Sequence, residues 1–283
     1  MKSRILLGAA TIVALSGAML VGTTGIASAH PSKGPPVRYT CAGGDLASGN
    51  FISIPSGNYA RITVTGACNI QPNAVINVAG NINVAPGAAL DAQSAPSTIT
   101  VGGNITAGWG SFLGLGCQPT NSIGMFAGVP CAAPYAAGHT TITVRGNVTA
   151  IDANTVLMRG AVAAGAGKLT VNGNVTLLGG SSENPWSIKG TTIRGNLTIV
   201  GVTAEFLGVQ FNTIGRNATL IDITVHDVDS PPPGVTVVEN TVKLNLNCFG
   251  LVPGVSGGLI PGEVNHVGHK ATGQCAAISV PLS

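Results

Sequence analysis

Charged and aromatic residues are scarce in this sequence. Asp, Glu, Lys and Arg make up 8% of the 283 residues, and Phe, Trp and Tyr make up 4%, whereas about 25% of the residues of an average soluble domain are charged. A core must therefore come from Val, Ile, Leu and Ala, with Thr, Asn and Ser covering the surface. So little charge excludes a broad basic field for nucleic acid and a polybasic membrane patch. We predict no nucleic-acid partner.

Several patterns that mark enzymes and metal proteins are also absent. The sequence has no C-x-x-C pair, no H-E-x-x-H, no P-loop and no EF-hand pattern, so the usual zinc, phosphate and calcium motifs are missing. Its acidic residues recur at no common position of the pattern described below, so the paired carboxylates of a glycosidase are not indicated. His266 and His269 could hold a metal or lie in a solvated terminal segment. We predict no catalytic residue and no cofactor except a weak calcium site.

Residues 1–29 have the features of a secretory signal peptide. Lys2 and Arg4 precede an uncharged apolar run from Ile5 to Val21, and Ala27-Ser28-Ala29 is an A-x-A cleavage site. The alternative is an uncleaved membrane anchor. Cleavage would remove two of the 13 basic residues and leave eleven, one more than the ten acidic residues. We therefore expect an exported protein, secreted or associated with the cell envelope, with no membrane span after cleavage.

The six cysteines are an even set, which in an exported chain favours disulfide bonds. Six cysteines allow fifteen pairings, and the sequence alone does not select one. Two lie near the start, two in the middle and two near the end, so pairing of neighbours is the simplest interpretation. The first and last bonds would then hold the ends of the fold, where edge strands could pair with other chains. The predicted bonds are Cys41–Cys68, Cys117–Cys131 and Cys248–Cys275.

One short pattern recurs along the chain. An Asn follows V-x-G and precedes apolar residues and Thr, as in TVNGNVTLLGG (170–180) and TIRGNLTIVGV (192–202). Successive asparagines are 21 to 28 residues apart, except for one gap of 43. A period in this range indicates a solenoid, propeller or array. The aligned asparagines are Asn81, Asn104, Asn147, Asn174, Asn196, Asn217 and Asn245.

The residues around each Asn predict strands and no helix. Runs such as KLTV and VTLL are rich in β-branched residues and alternate with period two. We predict an all-β fold, a right-handed parallel β-helix with coils of about 20–28 residues, that forms a single domain over 30–283. The alternative is a leucine-rich repeat, which also has an asparagine ladder but places Asn after a strand rich in leucine.

The recurring Asn is predicted to turn the chain and form a ladder. Asn tolerates bends, its amide could bond the amide of the next coil, and the glycine before it supplies backbone freedom where a side chain would clash. Five of these asparagines also begin N-x-T triplets, as in Asn174-Val175-Thr176, which match the glycosylation pattern. Because the triplets keep step with the pattern, we favour the structural interpretation.

A Gly/Pro-rich insertion is predicted at about 107–139, where the pattern is interrupted. It contains Trp109, Cys117 and Cys131. A long loop on a regular scaffold is a common location of function. In a carbohydrate-active enzyme, Trp109 would form one wall of the substrate site.

One acidic cluster could bind a cation. Asp227 and Asp229 would point to the same face of a strand, and Glu239 follows after a proline-rich turn. Carboxylates and backbone carbonyls are the ligands that Ca²⁺ prefers. We predict a weak Ca²⁺ site there, and the alternative is a solvated loop.

Several segments together resemble a group of secreted, mostly uncharacterised proteins of high-GC Gram-positive bacteria. They are the signal peptide, the V-x-G-N-V-T-V pattern, VTGAC (64–68), ENTVKLNLNC (239–248) and GHKATGQC (268–275). The resemblance covers roughly 38–275 and implies a right-handed β-helix, with no established activity. The chain departs from the group at Asp227-Val228-Asp229, where members often carry D-P-D, and at Lys243-Leu244, where they often carry two glycines.

The functional prediction is an exported, non-enzymatic structural or surface-associated protein. It would act by contact with cell-envelope glycans or proteins. The alternative is a carbohydrate-active β-helix enzyme, a polysaccharide lyase or hydrolase.

Overall fold

A computed structural model describes residues 34–119, 129–162, 167–226, 233–257 and 264–283. The predicted signal peptide, 1–29, lies outside these residues. Within them, the helical structure is limited to one 3₁₀ helix, Gln274–Ile278. No helix in this part of the chain has the length and apolar character needed to cross a membrane. The prediction of an all-β fold is confirmed.

The strands are numbered β1 to β29 along the chain and form two sheets. The larger sheet contains β1 (Val37–Cys41), β3 (Gly57–Val64), β5 (Ala74–Val78), β6 (Ile82–Val84), β8 (Ser97–Val101), β9 (Ile105–Ala107), β11 (Thr140–Val144), β12 (Val148–Ile151), β14 (Leu169–Val171), β15 (Val175–Leu178), β17 (Thr191–Ile193), β18 (Leu197–Val200), β19 (Thr203–Ala204), β21 (Thr213–Ile214), β22 (Ala218–Val225), β24 (Thr241–Val242), β25 (Leu246–Val252), β27 (Asn265–Val267), β28 (Ala271–Gly273) and β29 (Ser279–Pro281). The smaller sheet contains β2 (Ile52–Ile54), β4 (Ala67–Ile70), β7 (Ala89–Ala92), β10 (Phe112–Leu115), β13 (Thr155–Arg159), β16 (Trp186–Lys189), β20 (Leu207–Gln210), β23 (Val235–Val238) and β26 (Val255–Ser256).

The named strands pair in parallel, each with a strand from the next copy of the sequence pattern. The first series runs β5, β8, β11, β14, β17, β21, β24, β27 and supplies the strand before each aligned Asn. The second series runs β6, β9, β12, β15, β18, β22, β25, β28 and supplies the strand after it. The smaller sheet is the third series. The copies from β5 to β26 therefore contribute a strand to all three series, and the last copy has the 3₁₀ helix in place of a third strand.

Apolar residues of the same kind lie in register inside the fold. Val101 pairs with Val144, Val144 with Val171, and Val171 with Ile193. These four side chains are fully buried. The alternation of buried and outward residues in the strands follows from the period-two direction of strand side chains. Because the strands of one copy cannot bury their own apolar face, successive copies must pack on one another.

The insertion predicted at about 107–139 is shorter in the structure. Its residues Phe112–Leu115 form β10, which pairs with β7 on one side and β13 on the other. The described residues after Leu115 lie outside the two sheets until β11 begins at Thr140. The third strand of each copy carries no Asn motif, so the sequence pattern did not reveal that this copy continues.

The three predicted disulfides are confirmed: Cys41–Cys68, Cys117–Cys131 and Cys248–Cys275. All six cysteines are buried. The first bond connects β1 to β4, and the third connects β25 to the 3₁₀ helix near the end of the chain. The middle bond closes the shortened insertion, so each bond ties down a segment at the edge of the regular pairing.

The Cys41–Cys68 bond should stabilise the start of the fold. Replacing both residues by Ala is expected to lower the free energy of unfolding by about 2–4 kcal/mol, because the unfolded chain regains the freedom of the loop. Guanidinium unfolding of the variant and the wild type would measure the difference. Reduced wild type is the control for bond loss without substitution. Equal unfolding free energies for variant and wild type would contradict the stabilising role.

Candidate functional site

The aligned asparagines lie at the corner between the first and second strand series, here called the asparagine corner. From Asn81 to Asn217, each side-chain Oδ1 accepts a hydrogen bond from the backbone N–H of the Asn in the next copy, at 2.7 to 3.1 Å. Neighbouring amides pair backbone to backbone: Gly146 N donates to Gly103 O at 3.0 Å and Val148 N to Asn174 O at 2.9 Å. The column consists of Asn81, Asn104, Asn147, Asn174, Asn196, Asn217 and Asn245.

The bonding in this column differs from the expected mutual amide ladder. Side-chain Nδ2 groups donate to the preceding Oδ1 in only one stretch of the column, at 3.0 to 3.2 Å. That stretch runs from Asn174 to Asn245. The bond common to every step is the backbone N–H to Oδ1. At the corner, the strand pairing leaves one backbone N–H without a carbonyl partner. The Asn Oδ1 accepts a hydrogen bond from that N–H, and backbone groups that are buried or half-buried require such a partner.

Five of the seven aligned asparagines follow a glycine, and four of these glycines are required for space. A Cβ at Gly103, Gly146, Gly173 or Gly195 would overlap the Asn Oδ1 of the preceding copy and come within 2.6 to 2.9 Å of the preceding glycine carbonyl oxygen. None of these four has φ in the left-handed region. Glycine is therefore needed at these positions because successive copies approach closely, and not because of the expected gain in backbone freedom.

A second asparagine column was missed by the sequence analysis. Asn212, Asn240 and Asn265 are at most 1% exposed. Asn240 Oδ1 accepts from Asn212 N at 3.1 Å and Nδ2 at 2.9 Å, and Asn265 Oδ1 accepts from Asn240 N at 3.1 Å and Nδ2 at 2.8 Å. Asn212 and Asn240 lie five positions before Asn217 and Asn245, and Asn265 lies five positions before Lys270, which takes the place of Asn in a weaker last copy of the pattern. That shared offset was the available signal.

Two outward rows of polar residues flank the asparagine corner. Their members pair in register from strand to strand, so the side chains follow one another along the sheet. The first row consists of Asn58, Asn77, Thr100, Thr143, Thr170, Thr192, Thr213, Thr241 and His266. The second row consists of Thr63, Asn83, Thr106, Thr149, Thr176, Thr198, Thr219, Asn247 and Thr272. Neither row contains Asp, Glu, Lys or Arg.

Shallow grooves accompany both rows. One of about 550 Å³ runs between the corner and the second row and includes Asn196, Thr198 and Asn217. Another of about 490 Å³ includes Asn77 and Thr100 of the first row together with Arg145. Both present hydroxyl and amide groups, which can donate and accept hydrogen bonds. The surface is suited to contact with a long polar partner.

A third groove, of about 630 Å³, contains the exposed Trp109. The Trp109 side chain is 69% exposed, so it offers an apolar ring to a ligand. Asp152 and Asn154 also line this groove. Among its described lining residues, Asp152 is the only carboxylate, whereas glycoside hydrolysis uses two. The groove can hold a sugar ring, but the structure does not bring a carboxylate pair to it.

Charged side chains also meet on the outer face of the smaller sheet. Arg159 and Lys189 pair across β13 and β16, and Arg159 Nη1 donates to Gln93 Oε1 at 3.2 Å. Burial lowers the pKa of Arg159, against the opposing effect of the Asp91 charge. Burial also lowers the pKa of Lys189, and the Arg159 charge lowers it further.

Access to this cluster is poor. Asp91 and Lys189 are each 7% exposed, and Lys189 Nζ lies 5.9 Å from the centre of the Phe211 ring. Asp91 Oδ1 is occupied by the N–H groups of Gln93, at 2.9 Å, and Ser94, at 3.0 Å. These contacts hold the outer face of the sheet together and leave little room for a macromolecular substrate. The sequence analysis missed the cluster because its members come from separated segments.

Of the three predicted metal ligands, only Glu239 lies in the described part of the chain. Asp227 and Asp229 lie outside the described residues. Glu239 is half-buried in the turn before β24, with φ of 53°. Among the described residues, no group of three His, Cys, Asp or Glu could hold a metal ion. The weak Ca²⁺ site stays a prediction.

One motif was overlooked in the sequence. Residues 254–258 read G-V-S-G-G, a match to the G-x-S-x-G pattern of hydrolase nucleophiles. That pattern is meaningful where the Ser is exposed on a turn between a strand and a helix. Ser256 instead lies in β26 and is 3% exposed. We therefore interpret these residues as part of the strand β26 and its ends, and not as a nucleophile motif.

The space constraint at the corner can be tested with one added methyl group. Gly173→Ala is expected to lower the free energy of unfolding by about 1–3 kcal/mol, because Cβ must displace Asn147 Oδ1 and the Gly146 carbonyl. Gly254→Ala is the matched control, since a Cβ there has no heavy atom within 4 Å. Denaturant unfolding would measure both. Similar losses for the two variants would contradict the close-packing explanation.

The two asparagine columns should differ in their importance for stability. Asn240→Ala leaves several buried groups without partners, so a loss of about 3 kcal/mol or more is expected. Asn196→Ala, at the partly exposed corner, should cost about 0.5–1.5 kcal/mol, since water can replace the amide. Thermal and denaturant unfolding of both variants would give the comparison. An equal or smaller loss at Asn240 would show that burial does not set the difference.

Comparison with known proteins places no relative beside this chain. No family model, curated protein or solved structure matches it. The resemblance to secreted proteins of high-GC Gram-positive bacteria therefore stays a prediction.

Proposed function

We propose that the chain is a right-handed parallel β-helix, a single domain after removal of residues 1–29. The three parallel series, to all of which the copies from β5 to β26 contribute a strand, support this proposal. The 21- to 28-residue spacing of most aligned asparagines also supports it. The three disulfides are consistent with an extracellular protein. We further propose a relationship to the secreted Gram-positive group that the sequence resembles.

We infer that this exported β-helix is a non-enzymatic structural or surface-associated protein that acts by contact with the cell envelope. The observation that carries the proposal is the asparagine corner with its two polar rows. Each row places a hydroxyl or amide on successive strands, about 4.8 Å apart, except that His266 ends the first row. A rigid surface of this kind can form hydrogen bonds to many units of an extended polymer without catalysing a reaction.

A carbohydrate-active enzyme is the second candidate. The exposed Trp109 beside Asp152 favours it, because aromatic rings bind the apolar faces of sugars. The proposal of a contact protein is preferred because the rows extend over at least nine strands each, whereas the Trp109 groove supplies one carboxylate.

The two candidates can be separated with the purified mature protein. The proposal of a contact function predicts that the protein co-sediments with isolated cell envelopes of the producing cell and releases no sugar from them. The measurement is the bound fraction, together with an assay for new reducing or unsaturated ends on envelope polymers and on a panel of glycans. Turnover that Asp152→Asn abolishes would establish the enzyme instead. Absence of binding to envelopes would overturn the contact proposal.

A further inference from the structure

Four basic and four acidic residues of the described chain lie at two different corners, whereas others, such as Asp91 and Arg159, lie on the smaller sheet. Basic residues lie at the asparagine corner, where Arg145 follows β11, Arg194 follows β17, Arg216 follows β21 and Lys243 follows β24. All four side chains are exposed. The acidic residues Asp152, Glu183, Glu205 and Asp222 instead lie where the second series leads to the third. A nearly neutral chain thus carries two faces of opposite charge.

The basic residues belong to a face without acidic groups. The strands of the first series and the three residues that follow each of them contain no Asp or Glu. Arg145, Arg194 and Lys243 occupy the same position after alternate strands of that series. With strands about 4.8 Å apart, the three cations recur roughly every 10 Å along the corner.

Each cation lies next to hydroxyl and amide groups. Arg145 shares a groove with Asn58, Asn77 and Thr100 of the first row. The residue two positions before each of Arg145, Arg194 and Lys243 is a Thr of that row, and side chains two apart on a strand point to the same side. The face therefore combines regularly spaced positive charge with a continuous row of hydrogen-bonding groups.

We propose that this face binds a linear polysaccharide that bears carboxylate groups, a polyuronate-type chain lying along the asparagine corner. A guanidinium pairs with the planar carboxylate in a two-bond arrangement. The Thr and Asn side chains pair with sugar hydroxyls. The first-series strands carry no aromatic side chain, so the face lacks the stacking platform of single-stranded nucleic-acid binders. This inference rests on the proposed contact function and names the chemistry of its partner.

The test compares one polymer in two charge states. Polygalacturonate and its methyl-esterified form share a backbone, and only the first carries free carboxylates. The mature, disulfide-bonded protein is expected to bind polygalacturonate, to bind the ester much more weakly, and to lose affinity as salt screens the charges. Affinity electrophoresis or calorimetry would measure both. Equal binding of the two polymers, no binding of polygalacturonate, or equal binding of a single-stranded DNA would overturn the proposal.

Variants separate the basic face from the net charge. Arg145→Gln, Arg194→Gln and Lys243→Gln together should weaken binding by about tenfold or more. The matched control combines Glu183→Gln, Glu205→Gln and Asp222→Asn, and it should not weaken binding. The six-residue combination restores the wild-type net charge and should bind as weakly as the basic triple variant. Wild-type affinity of the six-residue variant would overturn the proposal.

Two further measurements keep the outcome interpretable. Each variant must unfold at the wild-type midpoint, which is expected because all six side chains are exposed. Co-sedimentation with the producing cell's envelopes is measured in parallel. Envelope binding without polygalacturonate binding would overturn the polyuronate proposal and leave the contact function intact, so the two failures are distinguishable.

Discussion

The regular pairing of the strands depends on one backbone amide at the corner of successive copies and on the group that pairs with it. Where the first strand series turns into the second, the N–H of each corner residue leaves the strand ladder. From Asn104 to Asn245 that N–H finds the side-chain oxygen of the Asn one copy earlier. The Asn recurs in seven successive copies, from Asn81 to Asn245, and a glycine precedes it where the approach leaves no space for Cβ.

The surface follows from the same requirement. Corner bonds that repeat from copy to copy hold the strands in register, and register places residues of the same kind beside one another. Inside, this gives columns of Val and Ile. Outside, it gives two rows of Thr and Asn, since these side chains suit an exposed strand and add no charge. The sequence thus contains few charged residues because uncharged polar side chains cover this flat face, and the few basic residues are its exceptions.

Polar groups inside the fold are held in the same way. Asn212, Asn240 and Asn265 pair with one another and with backbone carbonyls such as Val209 O and Val237 O. Buried polar groups are tolerated when their hydrogen bonds are complete. On the outer face of the smaller sheet, Arg159 Nη1 donates to Gln93 Oε1, but the buried Nε of Arg159 has no hydrogen-bond partner among the described residues. The disulfides act where regular pairing ends, at both ends of the fold and at the insertion.

The sequence by itself determined the strands around each aligned Asn and the residues of the corner column, whereas the disulfide pairing was only the simplest of fifteen until the structure selected it. The strands and the column are local or periodic, so the residue types and their spacing carry the information. Only the tertiary structure decided that Phe112–Leu115 continues the third series, that Asn212 joins a buried column, and that Arg159 meets Lys189. It also decided that cations gather at one corner and carboxylates at another. These features arise when segments far apart in the chain come into register, and the register depends on the packing of all copies together.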